Sequence, residues 1–117
     1  MSYMLLIVEP VGQRAERDEE QGREAYAAMV RFGEALHARG KLADARSLAS
    51  TGESVRVQTR EGRPTLLDGP YAEAKEMIGG FFLLQDVTRE EAIAIAQECP
   101  AAQWATVEVR RLAPCFE

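Results

Sequence analysis

The sequence is poor in the residues that mark many classes of protein. Its 117 residues include two cysteines, one histidine and no apolar run long enough to cross a bilayer. Cys99 and Cys115 show neither CxxC spacing nor a second histidine nearby, so we expect no metal site, no disulfide and no other cofactor. Because no basic segment with an apolar core and cleavage site follows Met1, we expect no signal peptide and a cytoplasmic location.

Positive charge is also scarce, since the formal net charge is −5 and the pI is near 5.0. Proteins that bind nucleic acid usually carry a basic stripe, so this class is not expected. Arg56, Arg60 and Arg63 could form a local basic patch, but the first two alternate with Val55 and Val57 and are typical of the solvated face of a strand. The sequence also has no nucleotide-binding fingerprint, no serine nucleophile elbow and no Cys–His pairing.

What remains is the composition of an ordinary globular protein, with 46% apolar and 28% charged residues. A chain of this length buries roughly two-thirds of its unfolded surface, so residues 1–117 are expected to form one domain. We find no internal repeat, linker or low-complexity segment. Membrane association is not expected.

The first half of the chain predicts a buried strand followed by a long amphipathic helix. Tyr3 to Val8 is almost entirely apolar and ends at Pro10. A charged segment leads into a helix of about eighteen residues whose apolar positions recur at helical spacing. These positions are Ala25, Met29, Phe32 and Leu36. Gly40 is suited to end the helix.

The second half predicts several strands, a second helix and a closing strand. Thr88 and Glu91 form a capping-box pattern, and Pro100 must end the helix that they begin. The strands are expected at Leu42–Leu48, Ser54–Arg60, Thr65–Leu67, Ile78–Leu84 and Ala105–Leu112.

This order of elements predicts an α+β fold with a ferredoxin-like βαββαβ core and an extra β-hairpin. The antiparallel sheet would carry both helices on one face. Its other face would stay apolar, so we expect a homodimer that forms through the open sheet face.

The stretch from Thr65 to Gln85, TLLDGPYAEAKEMIGGFFLLQ, is the most informative part of the sequence. An apolar strand runs into Asp68-Gly69-Pro70, a triplet that breaks regular structure. A charged loop and a second apolar strand follow. Ionisable groups therefore cluster between two strand ends, which is a plausible rim for a small site.

The motif DGPYAEAKE followed by GGFFLL resembles the signature of DGPF-domain proteins, a branch of the YciI-like, YCII-related family. Tyr71 stands where the family motif usually has Phe, and Ala74 where it commonly has Thr. The resemblance covers essentially the whole chain and implies a dimeric α/β barrel. For YciI-like proteins outside the DGPF branch, the resemblance implies that a His–Asp pair carries the activity, with the histidine on the first helix. This chain has Tyr26, Met29 and Val30 in the middle of that helix instead.

Two interpretations of the motif stay open for each candidate residue. Asp68 is either a general base or a turn residue that bonds nearby amides, and Tyr71 either a proton donor or a packing residue. The loop residues Glu73, Lys75 and Glu76 either rim a binding site or are simply solvated. Gly79 and Gly80 predict close approach of the backbone to a neighbouring strand or a ligand. His37 lies in the last turn of the first helix, where a cation is stabilised in any case.

Three classes of function fit these residues. A cofactor-free acid/base enzyme (an isomerase, or a lyase of the dehalogenation type) would need little beyond Asp68 and a nearby donor, and would act on a small organic molecule. The resemblance to DGPF-domain proteins also implies a regulatory role beside sigma-70-type factors in transcription initiation. A ligand-binding dimer without catalytic activity is the third hypothesis.

Overall fold

One four-stranded antiparallel sheet organises the protein, and a separate hairpin extends from it. The computed structural model describes residues 1–117. The strands are β1 (Tyr3–Pro10), β2 (Leu42–Ser47), β3 (Val55–Arg60), β4 (Arg63–Asp68), β5 (Glu76–Leu84) and β6 (Thr106–Arg111). The helices are α1 (Glu19–Ala38) and α2 (Arg89–Glu98).

The strand order in the large sheet is β2-β5-β1-β6, and all three pairings are antiparallel. With β3 and β4 set aside, the chain reads βαββαβ and has the strand order of a ferredoxin-like fold. The hairpin of β3 and β4 is inserted between β2 and β5 as a two-stranded sheet of its own. The predicted fold class is therefore confirmed, including the extra hairpin.

Alternation along β1 separates the two faces of the sheet. Tyr3, Leu5, Ile7 and Glu9 are buried, whereas the residues between them are half-buried. The core on the first face takes Phe82 and Leu84 from β5, Leu36 from α1, and Ala92 and Ile95 from α2. Both helices thus cover the same face, as expected. Cys99 belongs to this core, and burial raises the pKa of its thiol.

The second face of the sheet has no layer over it. The register of β1 and β5 places three apolar side chains from each strand on this face: Met4, Leu6, Val8, Ile78, Phe81 and Leu83. They are half-buried or exposed. The molecule measures 46 × 42 × 18 Å, and the short dimension is that of one sheet and one helix layer.

Each helix begins with a complete capping box. In α2, Thr88 Oγ1 accepts a hydrogen bond from the backbone N–H of Glu91, and the Glu91 carboxylate accepts one from the backbone N–H of Thr88. In α1, Asp18 and Gln21 do the same. The α2 box was predicted from the sequence. Neither helix has the length and apolarity needed to span a membrane.

The hairpin turns at Glu61 and Gly62, which both have positive φ values (52° and 75°), as a tight two-residue hairpin turn requires. Val55, Val57 and Leu66 lie on one side of it, and all are exposed. The hairpin therefore contributes nothing to the core. Arg56, on the other side, is exposed as predicted.

The capping box of α2 gives the stability of the protein a pH dependence. The backbone hydrogen bond from Thr88, with help from Lys41, holds the pKa of Glu91 below its ordinary value of 4.5. A lowered pKa stabilises the folded state above the unfolded-state pKa, and this stabilisation is lost as the pH falls through the folded-state pKa. We expect Glu91→Gln to destabilise the protein more at pH ~7 than at pH ~3. Urea denaturation at both pH values measures the free energy of unfolding.

Glu90→Gln is the matched control, because Glu90 lies in the same helical turn and its side chain makes no hydrogen bond. A difference between wild type and Glu91→Gln that is the same at both pH values would contradict this account.

Candidate functional site

A cleft of about 650 Å³ lies between α1 and the helix-covered face of the sheet. This volume is within the range of roughly 300–1,000 Å³ that small-molecule sites usually have. Half of its 22 lining residues are hydrophobic. Its polar groups are concentrated where β1 ends, beside the loop that leads into α1.

The buried carboxylate of Glu9 lies in this cleft. Glu9 follows Tyr3, Leu5 and Ile7 on the inward side of β1 and is only 4% exposed. Arg14 compensates its charge, since Nε and Nη2 lie 2.8 and 2.6 Å from Glu9 Oε1. A buried carboxylate needs such a partner because desolvation of an unpaired charge costs several kcal/mol, by order of magnitude.

Arg14 also donates hydrogen bonds to two backbone carbonyls from other parts of the sheet. Its Nη1 lies 2.8 Å from the carbonyl oxygen of Leu48, just after β2, and its Nη2 lies 3.3 Å from that of Gly79 in β5. One guanidinium thus connects the ends of β1 and β2 with β5. These contacts fix the position of the Glu9 carboxylate.

Gly79 provides the space for this ion pair. Ile7 pairs with Gly80 and Val8 with Ile78, so Gly79 is an unpaired bulge residue in β5. A Cβ atom at position 79 would overlap Glu9 Oε1 and would lie 2.8 Å from Arg14 Nη2. At Gly80 a Cβ would lie 2.7 Å from the carbonyl oxygen of Arg46. Gly80 thus lies close to the backbone of the neighbouring strand β2, whereas Gly79 lies close to the side chains of the ion pair.

The second carboxylate oxygen of Glu9 has no hydrogen-bond partner in the chain. Every hydrogen bond to this side chain is made to Oε1, and none is made to Oε2. No side-chain oxygen or nitrogen that is fully shielded from solvent lacks a hydrogen-bond partner, so Oε2 keeps some contact with solvent. The carboxylate therefore has one anchored oxygen and one oxygen without a partner.

A cation and an aromatic ring lie together among the other lining residues. The guanidinium carbon of Arg17 is 5.6 Å from the centre of the Trp104 ring. Gln13 Nε2 donates a hydrogen bond of 2.6 Å to the carbonyl oxygen of Trp104, which ties the loop after β1 to the segment before β6. Both Arg17 and Trp104 are half-buried.

The helix α1 forms the opposite wall. Tyr26, Met29 and Val30 line the cleft from this side, and Tyr26 is 62% exposed. His37 also lines it, near the C-terminal end of α1, and is exposed. Tyr26, Met29 and Val30 occupy the middle of the helix, where the His–Asp pattern would have its histidine, and they thus contribute to the cleft wall.

The structure brings only two of the predicted site residues, Gly79 and Gly80, into the cleft. The others lie at the end of β4, in the loop before β5 or at the first residue of β5: Asp68, Tyr71, Glu73, Lys75 and Glu76. They do not line the cleft. Glu73, Lys75 and Glu76 are exposed.

Asp68 ends β4, and its carboxylate accepts no hydrogen bond from the nearby amides. The amide of Gly69 instead donates to the carbonyl oxygen of Ser54, 2.8 Å away. The hydroxyls of Tyr71 and Ser54 share a hydrogen bond of 2.8 Å, and Arg56 lies over the Tyr71 ring at 3.7 Å. Tyr71 thus helps to join the hairpin to the loop that follows it.

Sequence reasoning missed Glu9, Arg14 and Arg17. A signal for Glu9 was present, because it continues the two-residue period of Tyr3, Leu5 and Ile7 and so extends the buried face of β1. Arg14 and Arg17 lie in a heavily charged segment and carry no such pattern. Their roles depend on contacts with residues such as Gly79 and Trp104, which are distant in the sequence.

The comparisons with known proteins identify the family. The YCII-related domain matches residues 1–115, and this chain belongs to that family. A relative is the uncharacterised protein R00369 of Rhizobium meliloti (strain 1021), which is 33% identical over 100 residues that cover 84% of this chain and 77% of the relative. Assignment to the DGPF branch stays a prediction.

A solved structure with a similar fold is 5-chloro-2-hydroxyhydroquinone dehydrochlorinase (TftG) from Burkholderia phenoliruptrix AC1100, in complex with 2,5-dihydroxybenzoquinone. The TM-score is 0.56 with 18% sequence identity, and the match covers 97% of this chain and 94% of that one. At this identity the similarity shows the shared fold.

The contact between Gly79 and the ion pair gives a direct prediction. We expect Gly79→Ala to destabilise the protein by about 1–3 kcal/mol, because the new methyl group displaces either the Glu9 carboxylate or the bulged strand. Urea denaturation measures the loss.

Gly52→Ala is the matched control, since a Cβ at position 52 meets nothing within 4 Å and the backbone is not left-handed there. Equal free energies of unfolding for Gly79→Ala and wild type would contradict the described packing.

Proposed function

We propose that this protein is a cofactor-free acid/base enzyme that acts on a small organic molecule in the cleft between α1 and the sheet. Glu9 is the proposed general base. The observation that carries the proposal is the arrangement of its carboxylate, in which Arg14 anchors Oε1 and no group of the chain binds Oε2 on the cleft lining.

This arrangement suits proton transfer because a general base must have a fixed position and one free oxygen within reach of the substrate. Glu9 Oε2 would take a proton from a hydroxyl group of the substrate, and the bonding electrons would form a carbonyl group. In an elimination from the keto tautomer, which carries a proton and the halogen on one ring carbon, the ring electrons would shift and the halide would leave with its electron pair, so that a quinone forms. In an isomerisation, the proton would return to a ring carbon. Neither step requires an oxidant or a metal.

The class of substrate is a proposal supported by the fold. TftG, which shares the fold, is a dehydrochlorinase of a chlorinated hydroxyhydroquinone. The cleft of this chain has an apolar wall that includes Met29 and Val30, and its volume of about 650 Å³ is sufficient for a single substituted ring. Halogenated hydroquinones are therefore the first substrates to test.

Asp68 is a second candidate base, proposed from the motif in the sequence. Its carboxylate accepts no hydrogen bond from the chain, so it is free to take a proton. However, it is exposed on the hairpin side of the fold and lines no cleft in the single chain. Glu9 is favoured because it is both buried and fixed.

We also propose that the protein is a homodimer that forms through the open sheet face. Six apolar side chains of β1 and β5 lie on this face, and the register places an acid and a base beside them on each flanking strand. These pairs are Asp44 with Arg46 on β2, and Glu108 with Arg110 on β6. An apolar stripe with charges of both signs along its two edges is suited to a self-complementary interface.

A regulatory role is the alternative, and the exposed apolar side of the hairpin is the observation that favours it. Val57 and Leu66 are 62% and 70% exposed, which is typical of a surface that contacts another protein. Such a regulator would bind a sigma-70-type factor through the hairpin, and Glu9→Gln would leave that binding unchanged.

Substitution of the proposed base tests the enzymatic function. Chlorinated hydroquinones would be incubated anaerobically with the protein, and chloride release and the quinone absorption of the product would be followed. We expect turnover by wild type and a loss of about 10²–10⁴-fold in Glu9→Gln, because the amide cannot act as a base.

Asp68→Asn is the matched control and is expected to retain turnover. Circular dichroism checks that each variant is folded, and Glu9→Asp keeps the charge if Glu9→Gln does not fold. Full activity in Glu9→Gln together with its loss in Asp68→Asn would move the site to the hairpin and overturn the proposal.

The proposed interface is tested by light scattering coupled to size-exclusion chromatography. We expect wild type to have twice the chain mass of 13.0 kDa and Leu6→Lys to have the monomer mass, because a lysine would be desolvated at the centre of the apolar stripe. Val30→Lys, on α1 and therefore on the helix-covered side of the sheet, is the control and should remain dimeric. A monomeric wild type would contradict this prediction.

A further inference from the structure

Two arginines from the segment between β1 and α1 line the cleft, and one of them has a carboxylate partner. Arg14 pairs with Glu9 at 2.6 Å. Arg17 forms no ion pair with any carboxylate of the chain. Its one side-chain hydrogen bond, from Nη2 to Gln13 Oε1, is long at 3.4 Å. Arg17 thus contributes a positive charge that the chain does not compensate.

The acidic groups of the cleft do not neutralise this charge. Glu9 is already paired with Arg14, which leaves Glu34 as the remaining acidic residue among the lining residues. At an α-helical rise of about 1.5 Å per residue, roughly 22 Å of helix separate the start of α1 from Glu34. Arg17 lies just before that start, so the only carboxylate of the cleft lining at this end is that of Glu9, which is already paired with Arg14.

The ring of Trp104 lies beside this charge. Arg17 is held over it at 5.6 Å, and the Trp104 carbonyl is fixed by Gln13. An aromatic ring offers a flat apolar surface to a bound ring, while a guanidinium binds an anionic oxygen group through charge-assisted hydrogen bonds. The two groups together match a flat molecule with a negative charge at its edge.

We infer that the cleft binds aromatic molecules that carry an anionic oxygen group, with Arg17 binding the anion and Trp104 contacting the ring. This inference rests on the proposed function, because it names the class of substrate for the same cleft. Arg17 would select the ligand by charge, whereas Glu9 would carry out the proton transfer.

The chain provides its own probe for this binding. Trp104 is the only tryptophan of the chain, so tryptophan fluorescence reports directly on the cleft. The purified protein would be titrated with benzoate and, separately, with benzamide, which has the same ring and a neutral group of the same shape. We expect benzoate to bind at least about 10-fold more tightly than benzamide, a difference of about 1.4 kcal/mol.

Substitution of Arg17 tests the assignment of the anion site. We expect Arg17→Gln to bind both molecules with equal affinity and Arg17→Lys to recover part of the preference for benzoate. Arg23→Gln is the matched control, because Arg23 is an exposed arginine paired with Glu19 and does not line this cleft. It should keep the wild-type preference.

Equal affinity of wild type for benzoate and benzamide would overturn the inference, and so would the absence of saturable binding of benzoate. These outcomes need no variant, so they hold even if a substitution prevents folding. They are also separate from the proposed function. A neutral ligand that binds as tightly as benzoate would remove the anion preference, while loss of turnover in Glu9→Gln would still support acid/base chemistry.

Discussion

The ion pair between Glu9 and Arg14 is the interaction on which the rest of the site depends. The carboxylate ends the buried face of β1, where an unpaired charge would strongly destabilise the fold. Arg14 compensates it and also binds the backbone at Leu48 and Gly79, so one side chain connects three strands. The bulge at Gly79 is what makes this geometry possible, because a side chain there would occupy the space of the carboxylate.

The two faces of the sheet have different consequences for function. On the covered face, α1 leaves a cleft in which a fixed carboxylate, an unpaired arginine and an aromatic ring lie on the lining. On the open face, six apolar side chains have no covering layer. The first arrangement is suited to binding and proton transfer on a small molecule, and the second to association with another copy. A single chain of 117 residues thus separates the proposed chemistry from the proposed assembly.

The sequence predicted the fold well because local patterns determine most of it. A nearly continuous apolar run identified β1, helical spacing identified α1, and the capping box of Thr88 and Glu91 located α2. The site was harder to predict. The motif around Asp68 drew attention to the hairpin, whereas the cleft depends on Glu9 meeting Gly79 across paired strands. The two-residue period that ends at Glu9 was present in the sequence, but Glu9 was not predicted as a site residue.

A double-mutant cycle on folding stability tests the central role of the ion pair most directly. The free energy of unfolding would be measured for wild type, Glu9→Gln, Arg14→Gln and the double variant. Arg14→Gln should cost about 3–5 kcal/mol, because it leaves the buried Glu9 charge unpaired, and Glu9→Gln should cost less, because Arg14 is partly exposed. The account predicts that the double variant loses at least about 2 kcal/mol less than the sum of the single losses. Additivity within about 0.5 kcal/mol would contradict it.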